Sequence, residues 1–462
     1  MRTAIGFLAL AASLTAATGD GTTPLHWAAH KDDLQKVQEL IQAGASAKAA
    51  NLYGVTPLSL ACTNGNGAMV KLLLEAGANP NAALPGGETP LMTAARTGKI
   101  DAVRALLEAR ADVKATEDRT GQTALMWAAA EGHAEVVEAL IAAGADFRIR
   151  LDSGFTPFLF AVREGRIGVV RALLKAGADV NDTIHSPMTA GRRPRLAKAP
   201  RSGTSALHLA VINAHYELAA FLLEAGADPN ANGPGFTALH AIHNVRKPGG
   251  GDNDPAPDGS GSMTSIEMVK KLAKHGADLN ARMTRRVNMG LTSLNTVGAT
   301  PFLMAARAGD AELMRALAAL GADPKIPNAD GATPLIAAAG LGTRSPGEDA
   351  GTEAEVVEAV QAALDLGNDI NAVDNNGETA MHGAAYKNLP AVVELLAAKG
   401  ADIKVWNRKN KYGWTPLTIA EGHRFGNFKP SAVTVAAFHK VMRAAGVVPA
   451  SDSKAAGVKI YQ

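Results

Sequence analysis

The sequence predicts an all-α solenoid, in which short helix pairs stack side by side and protruding hairpins join them. One observation is a heptad such as TPLHWAA, first seen at Thr23, which occurs eleven times. A second is that the copies are about 33 residues apart wherever no insertion intervenes. A third is the composition: 11 Phe, 5 Tyr and 4 Trp in 462 residues leave the core to small side chains. A period of this length is typical of stacked repeat proteins.

A first helix is predicted to begin at each heptad. Thr or Ser in the first position can accept a hydrogen bond from a backbone N–H two or three residues on, and Pro in the second position suits the first helical turn. The eleven first positions are Thr23, Thr56, Thr89, Thr123, Thr156, Ser205, Thr237, Thr300, Thr333, Thr379 and Thr415.

A second helix follows in each repeat. The first helix is expected to end at a glycine such as Gly98 or Gly132, and an apolar stripe such as Val136, Val137 and Leu140 then indicates a helix that packs on its neighbours. Glycine recurs in GAN or GAD after this helix, where a left-handed residue can end it and begin a turn. Each repeat is therefore two short helices and a hairpin.

Two residues depart from the common pattern. Arg110 stands in RAD where most copies have glycine, so a left-handed backbone is expected at an arginine. Cys62 occupies a position that is alanine in other repeats, and we interpret it as a small buried residue without a nucleophilic role. As the single cysteine, it excludes an intramolecular disulfide and a cysteine-based metal site.

The opening TPLH, the closing GAD and the 33-residue period together resemble the ankyrin-repeat family, over residues 18–446. The resemblance implies a curved superhelix that binds proteins and has no catalytic activity. It also implies that the histidine in the fourth heptad position bonds backbone groups. These histidines are His26, His208, His240 and His382. Residues 447–462 are expected to be a tail.

Residues 1–17 allow two interpretations. A basic residue, a short apolar run and small residues predict a signal peptide and a secreted or periplasmic protein, as in a bacterial-type exported ankyrin-repeat protein. The segment also resembles the end of a repeat, and a degenerate N-terminal cap would leave the protein in the cytoplasm. The apolar run is too short to span a membrane.

Catalysis is not expected, because HExxH, GxSxG, GxxxxGKS and paired CxxC motifs are absent from the sequence. No cofactor and no metal site are predicted; His26 and His30, and His240 and His243, have helical spacing but lack a third ligand. The net charge of +2 disfavours a nucleic-acid-binding protein.

Four insertions interrupt the period, and their charges differ. Residues 183–201 and 281–298 lie between repeats, on the predicted hairpin edge, and hold eight basic and no acidic residues. Residues 244–263 and 341–354 separate the two helices of a repeat, on what we expect to be the opposite edge. They hold three basic residues (Arg246, Lys247 and Arg344) and six acidic ones (Asp252, Asp254, Asp258, Glu348, Asp349 and Glu353).

The sequence therefore favours a non-catalytic scaffold or inhibitor, expected to be a monomer, that binds through its concave face and hairpin edge to a protein that is acidic along the contact. Aromatic residues beside arginine are typical of interface hot spots. The candidate contact residues are Arg192, Arg193, Arg195, Arg285, Arg286, Trp406, Arg408, Tyr412 and Trp414. Three alternatives remain: solvated loops with tryptophans that pack the last repeat, a toxin-like or enzyme-accessory effector, and nucleic-acid binding through the basic loops.

Overall fold

A computed structural model describes residues 17–185, 202–249, 256–287, 292–424 and 430–449. These residues form 23 helices and contain isolated β-bridges but no strand. The chain divides into two compact units, Met1–Leu209 and Ala210–Gln462. The predicted all-α class is confirmed. Among the helices of the described ranges, none has the length and apolarity that crossing a membrane requires.

The first unit consists of helix pairs, and each first helix begins directly after its heptad Thr. Successive first helices contact one another, and so do successive second helices. The first helices are α1 Pro24–His30, α3 Pro57–Asn64, α5 Pro90–Thr97, α7 Ala124–Glu131 and α9 Pro157–Arg163. The second helices are α2 Leu34–Gln42, α4 Gly67–Glu75, α6 Ile100–Glu108, α8 Ala134–Ala142 and α10 Ile167–Lys175. Helix α11, Ala206–Ile212, contains the boundary between the units.

The second unit repeats the same arrangement. Its second helices are α12 Tyr216–Glu224, α14 Ser265–Lys274, α16 Ala311–Ala319, α18 Glu353–Asp365, α20 Pro390–Ala398 and α23 Ala432–Ala444. Its first helices are α13 Ala238–Arg246, α15 Pro301–Arg307, α17 Pro334–Ala338, α19 Ala380–Lys387 and α22 Pro416–Ala420, and a single turn, α21 Ile403–Trp406, lies in the last hairpin.

Residues of the heptad cap the first helix and also form a hydrogen bond to the next repeat. The Thr23 hydroxyl accepts a bond from the backbone N–H of His26, and the His26 Nδ1 accepts one from the Thr23 N–H at 3.1 Å. The Nε2 of the same ring lies 3.0 Å from the carbonyl oxygen of Val55, the residue before the next heptad. His240 joins Ala299 in the same way at 3.1 Å. At His26 and His240 the imidazole therefore links adjacent repeats through the backbone, as the resemblance implied.

Left-handed residues end the helices where the sequence places glycine. Gly98 and Gly132 are left-handed C-caps, and Gly144 has φ +92°. Arg110 takes φ +63°, so the expected left-handed arginine is confirmed. Cys62 is fully buried, and burial raises the pKa of its thiol to about 12, which leaves it protonated and shielded from reagents.

Within each unit, backbone hydrogen bonds connect neighbouring hairpins. In the first unit the Asp118 N–H donates to the Gly86 carbonyl at 2.9 Å, and in the second the Asn375 N–H donates to the Asp330 carbonyl at 2.8 Å. An asparagine side chain at the base of a hairpin adds a second link, since Asn280 Oδ1 accepts from the Asp323 N–H at 2.8 Å. The hairpins are therefore held in register by their main chains.

Candidate functional site

The predicted basic hairpin edge is only partly described by the structure. Arg192, Arg193 and Arg195 lie outside the described residues. Arg285 and Arg286 are exposed on a hairpin of the second unit. The guanidinium of Arg285 donates to the carbonyl of Gly233, and that of Arg286 donates to the carbonyl of Ser293 at 3.0 Å. Both charges therefore stay at the surface without a carboxylate partner in these bonds.

The last hairpin holds an exposed basic and aromatic group. The Tyr412 and Trp414 rings lie 5.1 Å apart, and the Lys411 ammonium lies 5.0 Å from the centre of the Tyr412 ring. Tyr412 is exposed and Trp414 is half-buried. Arg408 is exposed as well, and its Nε donates to the Lys404 carbonyl at 2.8 Å. A cation beside stacked rings can bind an acidic or aromatic segment of a partner.

Trp406 does not belong to this group, and its assignment as a contact residue was wrong. It is only 3% exposed, and its ring lies 5.9 Å from that of Phe438 on α23. A large apolar side chain next to the final helix is stabilised by burial there. For Trp406, the alternative interpretation of a tryptophan that packs the last repeat is the correct one.

The acidic insertions also differ from expectation. Arg246 is the last residue of α13, and its Nε lies 2.5 Å from Asp310 Oδ2. Glu353 is the first residue of α18. Asp349 is buried and lies 2.6 Å from the guanidinium of Arg307, which is buried too. These residues contribute to packing inside the second unit and do not form an exposed acidic edge. Asp252 and Asp254 lie outside the described residues.

The two kinds of insertion meet, so they do not lie on opposite edges in the second unit. The Ser293 N–H donates to the Gly342 carbonyl at 2.8 Å, and Thr292 forms a bridge with Thr343. Spacing alone could not show this contact, because it depends on the path of the inserted chain and not on its point of entry.

The first unit has a surface that the sequence analysis missed. It is formed by side chains in the fifth heptad position and in the position directly after the heptad, and we call it the first-helix face. Trp27, in a fifth position, is 51% exposed. Arg96, directly after the third heptad, lies over the Trp127 ring at 5.2 Å. Arg163 lies 5.0 Å from the centre of the Phe160 ring. The signal was present in the sequence, since the fifth position of the first repeats holds Trp27, Leu60, Thr93, Trp127 and Phe160. Thr93 and Phe160 are buried, so the exposed aromatic residues of this position are Trp27 and the half-buried Trp127.

Comparison with known proteins identifies the repeat. A family model for three copies of the ankyrin repeat matches residues 5–84, 83–151, 115–184 and 351–428, and a single-repeat model matches residues 202–233. The ankyrin repeat protein FPV219 of fowlpox virus (strain NVSL) is 46% identical over 50 residues, which are 11% of this chain and 12% of that protein. The mouse B-cell lymphoma 3 protein homolog is 31% identical over 221 residues, 47% of this chain and 40% of that protein.

These two matches thus span less than half of either relative. Among solved structures, the human ASB11 ankyrin repeat domain shares 25% identity at a TM-score of 0.44, over 55% of this chain and 99% of that domain. The matched family models cover more than half of the chain. Proteins of this kind generally mediate protein–protein interactions and are generally non-catalytic. The chain belongs to the ankyrin-repeat family.

Proposed function

We propose that this chain is a non-catalytic scaffold or inhibitor that binds a protein partner through the first-helix face of its first unit. One observation carries the proposal: exposed or half-buried tryptophan and arginine side chains line this face. Tryptophan and arginine are enriched among the residues that dominate binding energy in protein interfaces. We infer that this face is the concave binding surface that the sequence predicts.

The pairing of arginine with aromatic rings supports this surface as the contact. Arg96 is half exposed, its side chain lies over Trp127, and Glu88 is 4.0 Å away. A guanidinium held over a ring keeps its donors free for a carboxylate or carbonyl of a partner, and its side chain is already ordered. Little side-chain entropy is then lost on binding.

A double variant tests the first-helix face. Trp27→Ser with Arg96→Ser removes one aromatic residue and one arginine from the face. Ile167→Ser with Arg104→Ser is the control, which removes one large apolar side chain and one arginine from exposed positions on the second helices of the same unit. For a protein captured by wild type and cross-linked to it, we expect the first variant to weaken binding at least ~10-fold and the control to retain it. Loss of binding in the control variant alone would show that the first-helix face is not the binding surface.

We further propose that the basic hairpin edge steers an acidic partner. Arg285→Ser with Arg286→Ser should lower the association rate several-fold at ~0.05 M salt and much less at ~0.5 M, where screening is stronger. Glu348→Gln with Asp258→Asn is the control, because both carboxylates are exposed, whereas Asp349 is buried and unsuitable. An unchanged rate in the arginine variant with a slower rate in the control would reject the steering role.

Export and a monomeric state complete the proposal. The N-terminal pattern of residues 1–17 favours a secreted or periplasmic protein, although these residues, apart from residue 17, lie outside the described part of the chain. The intact mass of the protein purified from culture fluid or periplasm, and its mass in solution by light scattering, test the two statements. An uncleaved cytoplasmic chain would favour the alternative of a degenerate cap repeat.

A further inference from the structure

The hairpin between α14 and α15 keeps its normal base and carries extra chain at its tip. The Met283 N–H donates to the Ala299 carbonyl at 2.9 Å, and the Thr284 N–H donates to the Gly235 carbonyl of the preceding hairpin at 2.9 Å. The bond between hairpins has a counterpart in an uninterrupted hairpin of the first unit, where the Leu52 N–H donates to the Asp20 carbonyl. The extra chain therefore starts after Thr284, at the tip, and returns before residue 297.

This extra chain reaches the far end of the first helices. Ser293 N–H and Oγ both bond the Gly342 carbonyl, at 2.8 and 3.1 Å, and Gly342 lies four residues beyond the last residue of α17. Residues 293–297 return from Gly342 to the hairpins, where the Ala329 N–H donates to the Val297 carbonyl at 2.8 Å. Because the hairpins join the first helices at their N-terminal ends, these described residues cross the groove between hairpins and first helices.

Burial along this path agrees with the crossing. Val287 and Leu294, one on each side of the extra chain, are buried, and the Thr296 hydroxyl joins the two sides by bonding the Val287 N–H at 2.9 Å. Met304, in the fifth heptad position of α15, is fully buried. In the first unit the corresponding side chain of α1 is Trp27, which is 51% exposed.

The loop that receives the extra chain is itself fixed to the first helices. Asp349 accepts from Arg307 of α15 at 2.6 Å and from the Thr343 hydroxyl at 2.8 Å. Lys387 of α19 donates to the Ala350 carbonyl. Gly342 therefore lies in a loop with buried ionic and hydrogen-bonded anchors on two helices, which makes it a firm point of attachment.

We propose that residues 285–287 and 292–296 form an intramolecular strap that closes the first-helix face at α15 and α17, an autoinhibitory contact that keeps a partner from binding to this part of the second unit. The strap uses the main-chain donors and apolar side chains with which an extended segment of a partner would bind. The proposal depends on the proposed function only in treating the groove as the binding surface; the closure itself is tested without a partner.

Two glycines of the receiving loop supply a matched pair of variants. Gly342 has φ +80°, and a Cβ there would lie 2.6 Å from the Leu294 nitrogen and 3.1 Å from the Thr292 hydroxyl. Gly347 has φ +89°, and a Cβ there would meet no atom within 4 Å. Gly342→Ala and Gly347→Ala therefore introduce similar backbone strain, but only Gly342→Ala pushes against the strap.

Hydrogen exchange on the full chain measures the strap directly. We expect Gly342→Ala to speed the exchange of the amides of residues 293–296 about ten-fold or more, and Gly347→Ala to leave it unchanged. Leu294→Ala, which removes a buried strap side chain, should have the same effect, with α15 and α17 still protected; this variant covers the case in which Gly342→Ala disturbs the whole unit. Fast exchange of these amides in the wild-type protein would overturn the proposal. Equal effects of the two glycine variants on their exchange rate would overturn it as well.

Thiol labelling reports on the closed face. Ala337→Cys places a thiol in the fully buried fifth position of α17, and the native Cys62 is buried and protonated. We expect Ala337→Cys alone to label slowly and its combination with Leu294→Ala to label about ten-fold faster or more. Equal rates in the two proteins would show that the strap does not cover this face. That result would leave the proposed function of the first unit untouched.

Discussion

Arg96 in the first unit and Arg307 in the second each directly follow a heptad, yet their surroundings are opposite. The Arg96 side chain is 50% exposed and lies over a tryptophan ring, whereas that of Arg307 is 3% exposed and forms an ion pair with Asp349. The fifth position shows the same contrast between Trp27 and Met304. The same positions of the repeat are therefore exposed at α1 and α5 and buried at α15.

The insertions explain the difference. In the first unit the described hairpins are short, and the first helices end in glycine or a short turn. In the second unit the chain after α17 supplies Asp349, and the chain before α15 supplies the strap. A repeat thus provides side chains at fixed positions, and the inserted chain decides whether those side chains face solvent.

The largest effect is expected at Asp349. Asp349→Ala leaves the Arg307 guanidinium without its buried carboxylate and removes the acceptor of the Thr343 hydroxyl. Loss of one partner of a buried ion pair typically costs 3–5 kcal/mol, so we expect a drop of about 4 kcal/mol in the unfolding free energy of the second unit. Denaturant unfolding measures it. The exposed neighbour Glu348→Ala is the control and should change stability by less than about 0.5 kcal/mol.

The fifth heptad position should give the next largest contrast. Met304→Ala removes a fully buried side chain and should destabilise the second unit by about 2–4 kcal/mol. Trp27→Ala removes a larger but half-exposed side chain and should cost under about 1 kcal/mol. Thermal unfolding of the two variants compares them. Equal losses would mean that the two faces are equally buried.

Glu378 of the second unit should give a smaller effect that depends on pH. Burial, with the nearby Asp374 charge, raises the pKa of Glu378, whose carboxylate accepts from Tyr386 Oη at 2.7 Å and Asn410 Nδ2 at 2.9 Å. A carboxyl whose pKa is raised by folding stabilises the fold when protonated, and this contribution is lost as the pH rises through the folded pKa. Glu378→Gln should therefore raise the melting temperature at pH 7 by ~2 °C and bring no gain at pH 4.

Glu117 of the first unit should behave in the opposite way. Burial alone would raise the pKa of Glu117, but bonds from the Thr120 hydroxyl and from the N–H groups of Gln122, Arg119 and Thr120 hold it at about 2. Its contribution is then present above the unfolded pKa and lost as the pH falls towards 2. Glu117→Gln should lower the melting temperature at pH 7, and the difference from wild type should vanish near pH 2. A difference that persists at low pH would point to packing instead of charge.

The smallest effect concerns left-handed residues. Arg110 and Asn388 have φ +63° and +57°. Arg110→Gly should raise the unfolding free energy by up to about 1 kcal/mol because glycine takes this conformation without a Cβ penalty. Asn388→Gly should gain less, because asparagine tolerates left-handed backbone better than arginine does. A lower denaturation midpoint for Arg110→Gly would show that the arginine side chain makes a compensating contact.

Local signals predicted the repeat well because they act within a few residues. Three features of the repeat act on nearby backbone: the capping Thr, the fourth-position His and the left-handed turn at glycine or Arg110. All three appear where the sequence predicts them. Cys62 follows the same logic, since its position in the heptad determined its burial.

Contacts made by inserted chain could not be predicted in this way. The ion pair of Arg307 with Asp349 joins residues 42 positions apart, and the Ser293 bond to Gly342 joins two insertions 49 positions apart. Charge counts treated Asp349 as an exposed acid because sequence composition carries no information on burial. Trp406 was misassigned for the same reason, since basic neighbours suggested exposure while the final helix covers it.

Radical footprinting of the fifth-position side chains tests the central contrast most directly. Hydroxyl radicals oxidise methionine and tryptophan at rates that follow their exposure, and mass spectrometry of the full chain reads each position. We expect rapid oxidation of Trp27 and protection of Met304 to the level of the fully buried Met69 and Met92. Oxidation of Met304 as fast as that of Trp27 would contradict the account, because the first-helix face at α15 would then be as open as that at α1.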